Sequence, residues 1–137
     1  MILCDTGPMV ALVDYRDIDH ARCKDVLNRL PAEPLMTTWS CFTEAMYLLY
    51  RSGGYRFQQQ LWAFVERGVF RLHSTENVET DRIRRLMQAY NDAPMDLADA
   101  SLVSAAERLG AKHVFTLDGH FHGYRTADGH LEVLPLN

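Results

Sequence analysis

The sequence lacks any long hydrophobic run, and no stretch approaches the roughly 20 apolar residues needed to cross a bilayer. The N-terminus also lacks the basic flank and the extended apolar region of a signal peptide. Cysteine is scarce: Cys4, Cys23 and Cys41 form no C-x-x-C pair, which argues against a disulfide framework or a zinc ribbon and favours buried thiols. We therefore expect a cytoplasmic protein with no membrane span.

An excess of positive charge is missing as well, since the formal net charge is −4. This argues against a protein that coats nucleic acid through a broad basic surface. It does not exclude a nuclease, because such an enzyme can hold its substrate through a bound cation and a few local arginines. With 137 residues, of which 47% are hydrophobic, the chain predicts one domain over 1–137.

Apolar spacing predicts short strands that alternate with amphipathic helices. The pattern indicates an α/β fold, a three-layer α/β/α sandwich with a mainly parallel central sheet. One predicted helix, SCFTEAMYLLYRSGG, has Ser40 as its expected N-cap and Gly53 as its terminator. Its apolar residues run all round, so we expect it to be buried. The predicted strands are ILCD, LMTT, VFRLH, HVFTLD and LEVLP.

Acidic residues recur where the predicted strands end and helices begin. Asp5 and Asp118 each close an apolar strand, and Glu44 is the only charged residue between Pro34 and Tyr50. Asp96 and Asp99 stand three apart at the start of the 96–109 helix, so they share a face. Ligands of open parallel sheets bind beyond the carboxyl ends of the strands, and we expect these acids to meet at that edge.

Each of these acids also has an ordinary structural explanation. Asp5 suits a helix cap, Asp118 suits a turn before Gly119, and first-turn acids such as Asp96 and Asp99 favour the positive helix end. A coincidence of all of them at one edge is harder to explain. Carboxylates are hard ligands suited to Mg²⁺ or Mn²⁺, which activates water for attack on a phosphodiester.

The triplet Asp5-Thr6-Gly7 admits two other enzyme classes. An aspartic protease would need a homodimer, since only one triplet exists, and its fold is almost all β, against the helical periodicity seen here. A phosphatase-like hydrolase with Asp5 as nucleophile fits an α/β fold. Such an enzyme is expected to carry a second Asp two residues on, where this chain has Gly7.

The segments ILCDTGPMVALVD, FTEAMYLL, LADASLVSAAERLGA and VFTLDGHF resemble the PIN domain nucleases, particularly the VapC toxins of toxin–antitoxin pairs. The resemblance spans nearly the whole chain and implies a PIN fold with Mg²⁺- or Mn²⁺-dependent cleavage of RNA. It matches Asp5, Glu44, Asp99 and Asp118 to the four family acids, as catalytic residues and metal ligands. Asp96, one helical turn before the third acid, is an additional ligand, a supporting group or a cap.

Thr6 and Thr116 would, on the same resemblance, supply hydroxyls near the metal. Where many members have a basic residue after the fourth acid, this chain has Gly119 and His120. The resemblance also implies a small cognate antitoxin and a homodimer. The alternatives are a free-standing PIN nuclease in RNA processing and a PIN-like binding module without activity.

Two other groups of side chains admit binding hypotheses. The histidines of the C-terminal loop suggest a transition-metal site, although solvated loop histidines are the simpler interpretation. The arginines of the helix marked by Ile83, Leu86, Met87 and Tyr90 suggest an RNA contact, although a solvated helix face paired with nearby acids is the default explanation. The histidines are His120, His122 and His130, and the arginines are Arg82, Arg84 and Arg85.

Overall fold

The computed structural model of the protein describes residues 1–135. Helices and strands alternate along most of the chain, as the periodicity predicts. The strands are β1 (Ile2–Cys4), β2 (Leu35–Thr38), β3 (Phe70–His73), β4 (His113–Phe115), β5 (Arg125–Thr126), β6 (Gly129–His130) and β7 (Glu132–Leu134). The helices are α1 (Thr6–Val13), α2 (His20–Arg29), α3 (Trp39–Gly53), α4 (Tyr55–Glu66), α5 (Asn77–Ala89) and α6 (Leu97–Leu109).

The central sheet has the strand order β3-β2-β1-β4-β7, and all its pairings are parallel. Leu3 of β1 pairs with Met36 on one side and Val114 on the other. From β1 the chain first builds outward through β2 and β3 and then returns to place β4 and β7 on the opposite side. The order therefore reverses between β1 and β4, and such a reversal opens a crevice at the carboxyl ends of the two strands.

The two strands beside that crevice are deeply buried. Leu3, Cys4, Val114 and Phe115 are fully buried, as expected for parallel strands covered by helices on both faces. The three-layer α/β/α prediction is confirmed by the parallel sheet and its six flanking helices. The three cysteines are free and buried, which confirms the expectation of buried thiols. Within the described residues, no helix combines the length and apolarity required to cross a bilayer.

Helix α3 departs from its sequence prediction in two ways. Its N-cap is Thr38, whose hydroxyl accepts from the backbone N–H of Cys41, rather than Ser40. Nor is the helix buried all round, because Trp39 and Tyr47 are 46% and 60% exposed. Apolar residues on a helix do not by themselves say whether solvent or protein covers them. Those exposed aromatic side chains lie beside the carboxylates described below.

Two helix ends follow the sequence signals closely. Helix α6 stops at Gly110, which adopts φ +68°, a conformation that L side chains rarely take. Helix α3 ends at Gly53, where an added Cβ would clash with the Phe57 ring of α4. Gly53 is thus required by the close approach of the two helices, and the following Gly54 supplies the positive φ at the cap.

The polar segment after β4 contains regular secondary structure. A short 3₁₀ turn spans Gly119–His122, and β5 and β6 form a small antiparallel hairpin. Phe121 and Tyr124 are buried and stack edge to face, so this segment closes over the core. It brings a tyrosine hydroxyl to the start of α6.

Candidate active site

Asp5 lies directly after β1 and serves as the N-cap of α1. One carboxylate oxygen, Oδ1, accepts from the backbone N–H of Thr6 at 2.8 Å, and Oδ2 accepts from the Thr116 hydroxyl at 2.8 Å. Asp5 therefore caps helix α1, as one interpretation of the sequence predicts. It also lines the crevice where β1 and β4 end, and it is buried there.

Asp96 and Asp99 form a capping box at the start of α6. Oδ1 of Asp96 accepts from the Asp99 backbone N–H at 2.8 Å, and Oδ2 of Asp99 accepts from the Asp96 N–H at 3.4 Å. The Tyr124 hydroxyl donates to the same Asp99 oxygen at 3.3 Å. Asp96 is exposed and Asp99 buried, so the two acids occupy different environments despite their reciprocal hydrogen bonds.

Asp118 lies three residues after the end of β4, the strand that pairs with β1. Its backbone N–H donates to the Thr116 hydroxyl oxygen at 2.9 Å. Its Oδ1 accepts from the backbone N–H of His120 at 2.9 Å and lies 2.7 Å from the Nδ1 atom of that histidine. Thr116 therefore connects the two strand-end acids, since its proton goes to Asp5 and its oxygen accepts from Asp118.

Three of the predicted acids meet closely enough to share one ion. Asp5, Asp99 and Asp118 each offer a carboxylate oxygen, and these oxygens lie within 4.8 Å of one another. Glu44 of α3 and Asp96 line the same cleft, which has a volume of about 460 Å³, without joining the group of three. The structure thus places all five acids at one sheet edge, with three at its centre.

The like charges of this cleft shift the titration of its carboxyls. Burial, followed by the charges of Asp96 and Asp5, raises the pKa of Asp99 to about 7. Burial also raises the pKa of Asp5, against the opposing effect of its hydrogen bonds from Thr116 and Thr6. The pKa of Glu44 is raised by burial and by the charges of Asp96 and Asp5. Protons or a cation must neutralise such a cluster, and an all-oxygen donor set fits a hard divalent ion.

The two threonines of the sequence prediction have different roles. The Thr116 hydroxyl is committed to Asp5, whereas the Thr6 hydroxyl donates to the backbone carbonyl of Cys41 at 3.2 Å and joins α1 to α3. Sequence reasoning missed two neighbours of the acids. Tyr124 contacts Asp99, and the Cys41 thiol donates to Asp5 Oδ1 at 3.8 Å. Each lies 25 or more residues from its partner, and no local pattern signals such contacts.

The alternative binding groups have ordinary environments. Among the described residues, no histidine joins a group of three metal-binding side chains, so the transition-metal hypothesis gains no site. The arginines of α5 pair with acids: Arg82 with Glu107, and Arg84 and Arg85 with Asp81. The parallel α/β sheet overturns the aspartic protease alternative, which requires an almost all-β fold.

Both a family model and a curated protein match this sequence. Residues 2–126 match the PIN domain family. The chain is 25% identical over 136 residues to Ribonuclease VapC26 of Mycobacterium tuberculosis (strain ATCC 25618 / H37Rv), covering 98% of this chain and all of that protein.

Solved structures of two further proteins share the fold. The crystal structure of VapC20 from Mycobacterium tuberculosis, described as a Sarcin-Ricin loop cleaving toxin, superimposes with a TM-score of 0.80 at 21% identity, over 87% of this chain and 91% of that one. VapBC2 from Rickettsia felis, bound to a DNA fragment from its promoter, superimposes with a TM-score of 0.68 at 14% identity, over 97% and 98% of the chains. With a family match over most of its length and an acidic cleft at the reversal of its sheet, this chain belongs to the PIN domain family.

Proposed function

We propose that this protein is a Mg²⁺- or Mn²⁺-dependent endoribonuclease that hydrolyses RNA phosphodiester bonds and serves as the toxin of a toxin–antitoxin pair. The observation that carries the proposal is the group of three carboxylate oxygens from Asp5, Asp99 and Asp118, within 4.8 Å of one another. The similarity to Ribonuclease VapC26 supports RNA as the substrate. The metal requirement follows from the chemistry of the oxygen donors.

Asp5, Asp99 and Asp118 are the residues that would hold the ion. Glu44 and Asp96 complete the proposed set of acids from positions on the cleft wall, where they add negative charge. Asp96 commits Oδ1 to the helix cap, which leaves its second oxygen for the ion or for water. When bound, Mg²⁺ or Mn²⁺ would supply an activated water as nucleophile and neutralise the charge that develops on the phosphate.

Hydrogen-bond donors from neighbouring residues hold these acids in place. Thr116 fixes one oxygen of Asp5, and the Thr6 N–H fixes the other. Tyr124, which is itself buried, donates to Asp99 from the segment after β4. These donors orient the carboxylates before substrate arrives, so less rearrangement is needed during the reaction.

The partner proposals are a small antitoxin and a homodimer. The Rickettsia felis structure, which carries the name VapBC2, supports the expectation of an antitoxin. The exposed aromatic residues Trp39 and Tyr47 of α3 lie beside the acidic cleft, where a bound protein chain would bury apolar surface and close off the acids. An antitoxin and an RNA target are both encountered in the cytoplasm, which is where we place the protein.

Cleavage assays with purified protein test the nuclease. We expect cleavage of an RNA substrate with Mg²⁺ or Mn²⁺, and none after EDTA. Asp99→Asn removes a ligand charge while it keeps the shape of the side chain, and should lower the rate by more than about 100-fold. Asp92→Asn, on the exposed turn before α6, is the matched control and should cleave like the wild type. Unchanged cleavage in EDTA would overturn the metal mechanism.

Expression in a bacterial host tests the toxin role separately. We expect the wild-type protein to arrest growth and Asp99→Asn to permit it at the same level of soluble protein. Sequencing RNA ends soon after induction reports the cleaved target. Cleavage in vitro without any growth arrest would favour a free-standing RNA-processing nuclease over a toxin.

A further inference from the structure

The acidic cleft presents no permanent positive charge to the RNA that it is proposed to cleave. The described residues that line it include five acids and neither Lys nor Arg. Arginine is the side chain best suited to a phosphate, because its guanidinium stays charged at every physiological pH and carries several N–H donors. Any arginine that contacts the substrate beside these acids must therefore lie outside the cleft.

One arginine lines the cavity next to the cleft. This cavity has a volume of about 130 Å³ and shares Leu117 and Asp118 with the cleft, so the two adjoin at a proposed metal ligand. Arg22 of α2 is the only Lys or Arg among the described residues that line the cavity. Its side chain is 48% exposed, so RNA can reach the guanidinium without any rearrangement of the core.

The neighbours of Arg22 fix the position of its helix. Cys23 is fully buried, and Nδ1 of the His20 ring lies 2.6 Å from the backbone carbonyl oxygen of Ala11 in α1. The first turn of α2 is thus held against the core. Nη1 of Arg22 lies 4.0 Å from Oδ1 of Asp19, which makes a long ion pair within the helix. A guanidinium has five N–H donors, so it can bind a phosphate in addition to a carboxylate.

The charges around the cavity favour a phosphate only in the proposed enzyme. Asp118 lines the same cavity as Arg22, and its negative charge on its own would repel a phosphate. A cation held by the carboxylates would offset that charge. Arg22 then adds a fixed positive charge on the side of Asp118 that faces away from the cleft.

We propose that Arg22 binds a backbone phosphate of the RNA substrate in the cavity beside the acidic cleft, and so holds the strand next to Asp118. This inference rests on the proposed function, because it assigns a substrate contact of that same site. It makes Arg22 a substrate-binding residue. Since the guanidinium is permanently charged, the contact does not depend on protonation of any histidine.

RNA binding by nuclease-inactive protein in the presence of Mg²⁺ tests the contact directly. In an Asp99→Asn background, Arg22→Gln should weaken the affinity for a short single-stranded RNA about tenfold, and should reduce the slope of log K against log[salt] by about one. The matched control is Arg29→Gln, which should change the affinity less than about twofold. Arg29 lies on the same helix, is 77% exposed and pairs with Asp25 at 3.2 Å, but it lines neither the cavity nor the cleft. Equal losses in the two variants would reflect net charge alone and would overturn the contact.

The metal response of the otherwise wild-type Arg22→Gln protein separates a direct contact from an indirect one. We expect Mg²⁺ to raise its melting temperature as much as it raises that of the wild type, because the three carboxylates are unchanged. Loss of the Mg²⁺ response would show that Arg22 acts by positioning Asp118 and would overturn the phosphate contact. Unchanged RNA affinity, or weaker affinity with an unchanged salt slope, would overturn it as well. Failure of the wild type to cleave RNA with metal would instead refute the proposed nuclease itself, which the binding assay does not measure.

Discussion

Two buried carboxylates on adjacent helices, Glu79 of α5 and Asp99 of α6, are 4% and 7% exposed yet occupy opposite environments. Glu79 is surrounded by donors. Its Oε2 accepts from the backbone N–H of Glu76 at 2.8 Å and lies 3.0 Å from His73 Nε2, while Oε1 accepts from the Ser104 hydroxyl at 3.1 Å. Glu79 thus ties β3, α5 and α6 together.

Asp99 has weaker donors and more acidic neighbours. The hydrogen bonds to its Oδ2 are 3.3 and 3.4 Å long, and the charges of Asp96, Asp5 and Asp118 surround it. Burial disfavours ionisation of both residues, but donors outweigh it at Glu79 and lower that pKa, whereas like charges add to it at Asp99. A buried carboxylate with a structural role is stabilised by hydrogen-bond donors within the protein. A buried carboxylate that binds a cation lacks enough of these donors.

The largest change in stability should come from Glu79→Ala. Removing this carboxylate leaves the N–H of Glu76, the ring of His73 and the hydroxyl of Ser104 without their acceptor inside the fold. We expect the free energy of unfolding to fall by about 3 kcal/mol, measured by urea unfolding near pH 7. Glu66→Ala, at an exposed position with the same substitution, should change it by less than about 0.5 kcal/mol. Similar losses in both variants would show that the Glu79 network adds little.

Divalent metal should stabilise the acidic cleft and leave the Glu79 network unaffected. At a Mg²⁺ concentration about 100 times the dissociation constant, mass action adds about 2.7 kcal/mol to the free energy of unfolding. The melting temperature should therefore rise with Mg²⁺ or Mn²⁺ in the wild type and in Glu79→Ala, but little in Asp99→Asn. In EDTA at pH 8, Asp99→Asn should be at least as stable as the wild type, because it removes a strained charge. An equal metal-induced rise in Asp99→Asn would contradict Asp99 as a ligand.

The pH dependence of stability should distinguish the two acids in the absence of metal. The pKa of Asp99 is raised to about 7, so the folded protein binds a proton there that the unfolded chain releases near pH 4. That contribution is complete below about pH 4 and is lost as the pH rises through about 7, with a slope of up to about 1.4 kcal/mol per pH unit. The lowered pKa of Glu79 acts in the opposite direction, because its contribution is lost only as the pH falls through the acid range.

Urea unfolding in EDTA between pH 5 and pH 8 measures this difference, since the Glu79 contribution changes little there. The stability of the wild type relative to Asp99→Asn should decrease as the pH rises. Saturating Mg²⁺ should remove the decrease, because a bound cation replaces the proton. A stability difference that does not vary with pH would indicate that Asp99 is ionised throughout the range.

The acidic cleft could be predicted from sequence because its signals are local. An apolar strand that ends in an acid is visible at Asp5 and again at Asp118, and parallel topology then places both at one edge. The Asp96–Asp99 spacing likewise predicts a shared helix face, and the structure adds that the two cap each other. The α/β fold could be predicted from the alternation of strands and helices alone.

The features that the sequence did not predict depend on contacts between distant segments. Tyr124 contacts Asp99 from a C-terminal segment whose sequence predicts a polar loop. Cys41 contacts Asp5 across the interface between α1 and α3. The Glu76-x-x-Glu79 spacing is a capping signal, but only the packing of β3 and α6 against α5 shows that Glu79 is buried. The exposure of α3 likewise depends on which elements pack against it, and the apolar pattern of a helix does not show this.

The smallest effect should come from Arg82, where an ion pair lies at the surface on the same two helices that Glu79 and Asp99 occupy. Its guanidinium makes two hydrogen bonds to Glu107 of α6, with Nε 2.8 Å from Oε1 and Nη2 2.9 Å from Oε2. Water competes for both partners and salt screens them, so Arg82→Ala should lower the free energy of unfolding by less than about 1 kcal/mol, and by still less in 1 M salt. RNA cleavage should stay at the wild-type rate, because this arginine is occupied by an acid and lies outside the cleft. Urea unfolding at low and high salt, with a cleavage assay on the same protein, measures both effects. A tenfold loss of cleavage rate with unchanged stability would instead identify the arginine face of α5 as part of the RNA-binding surface.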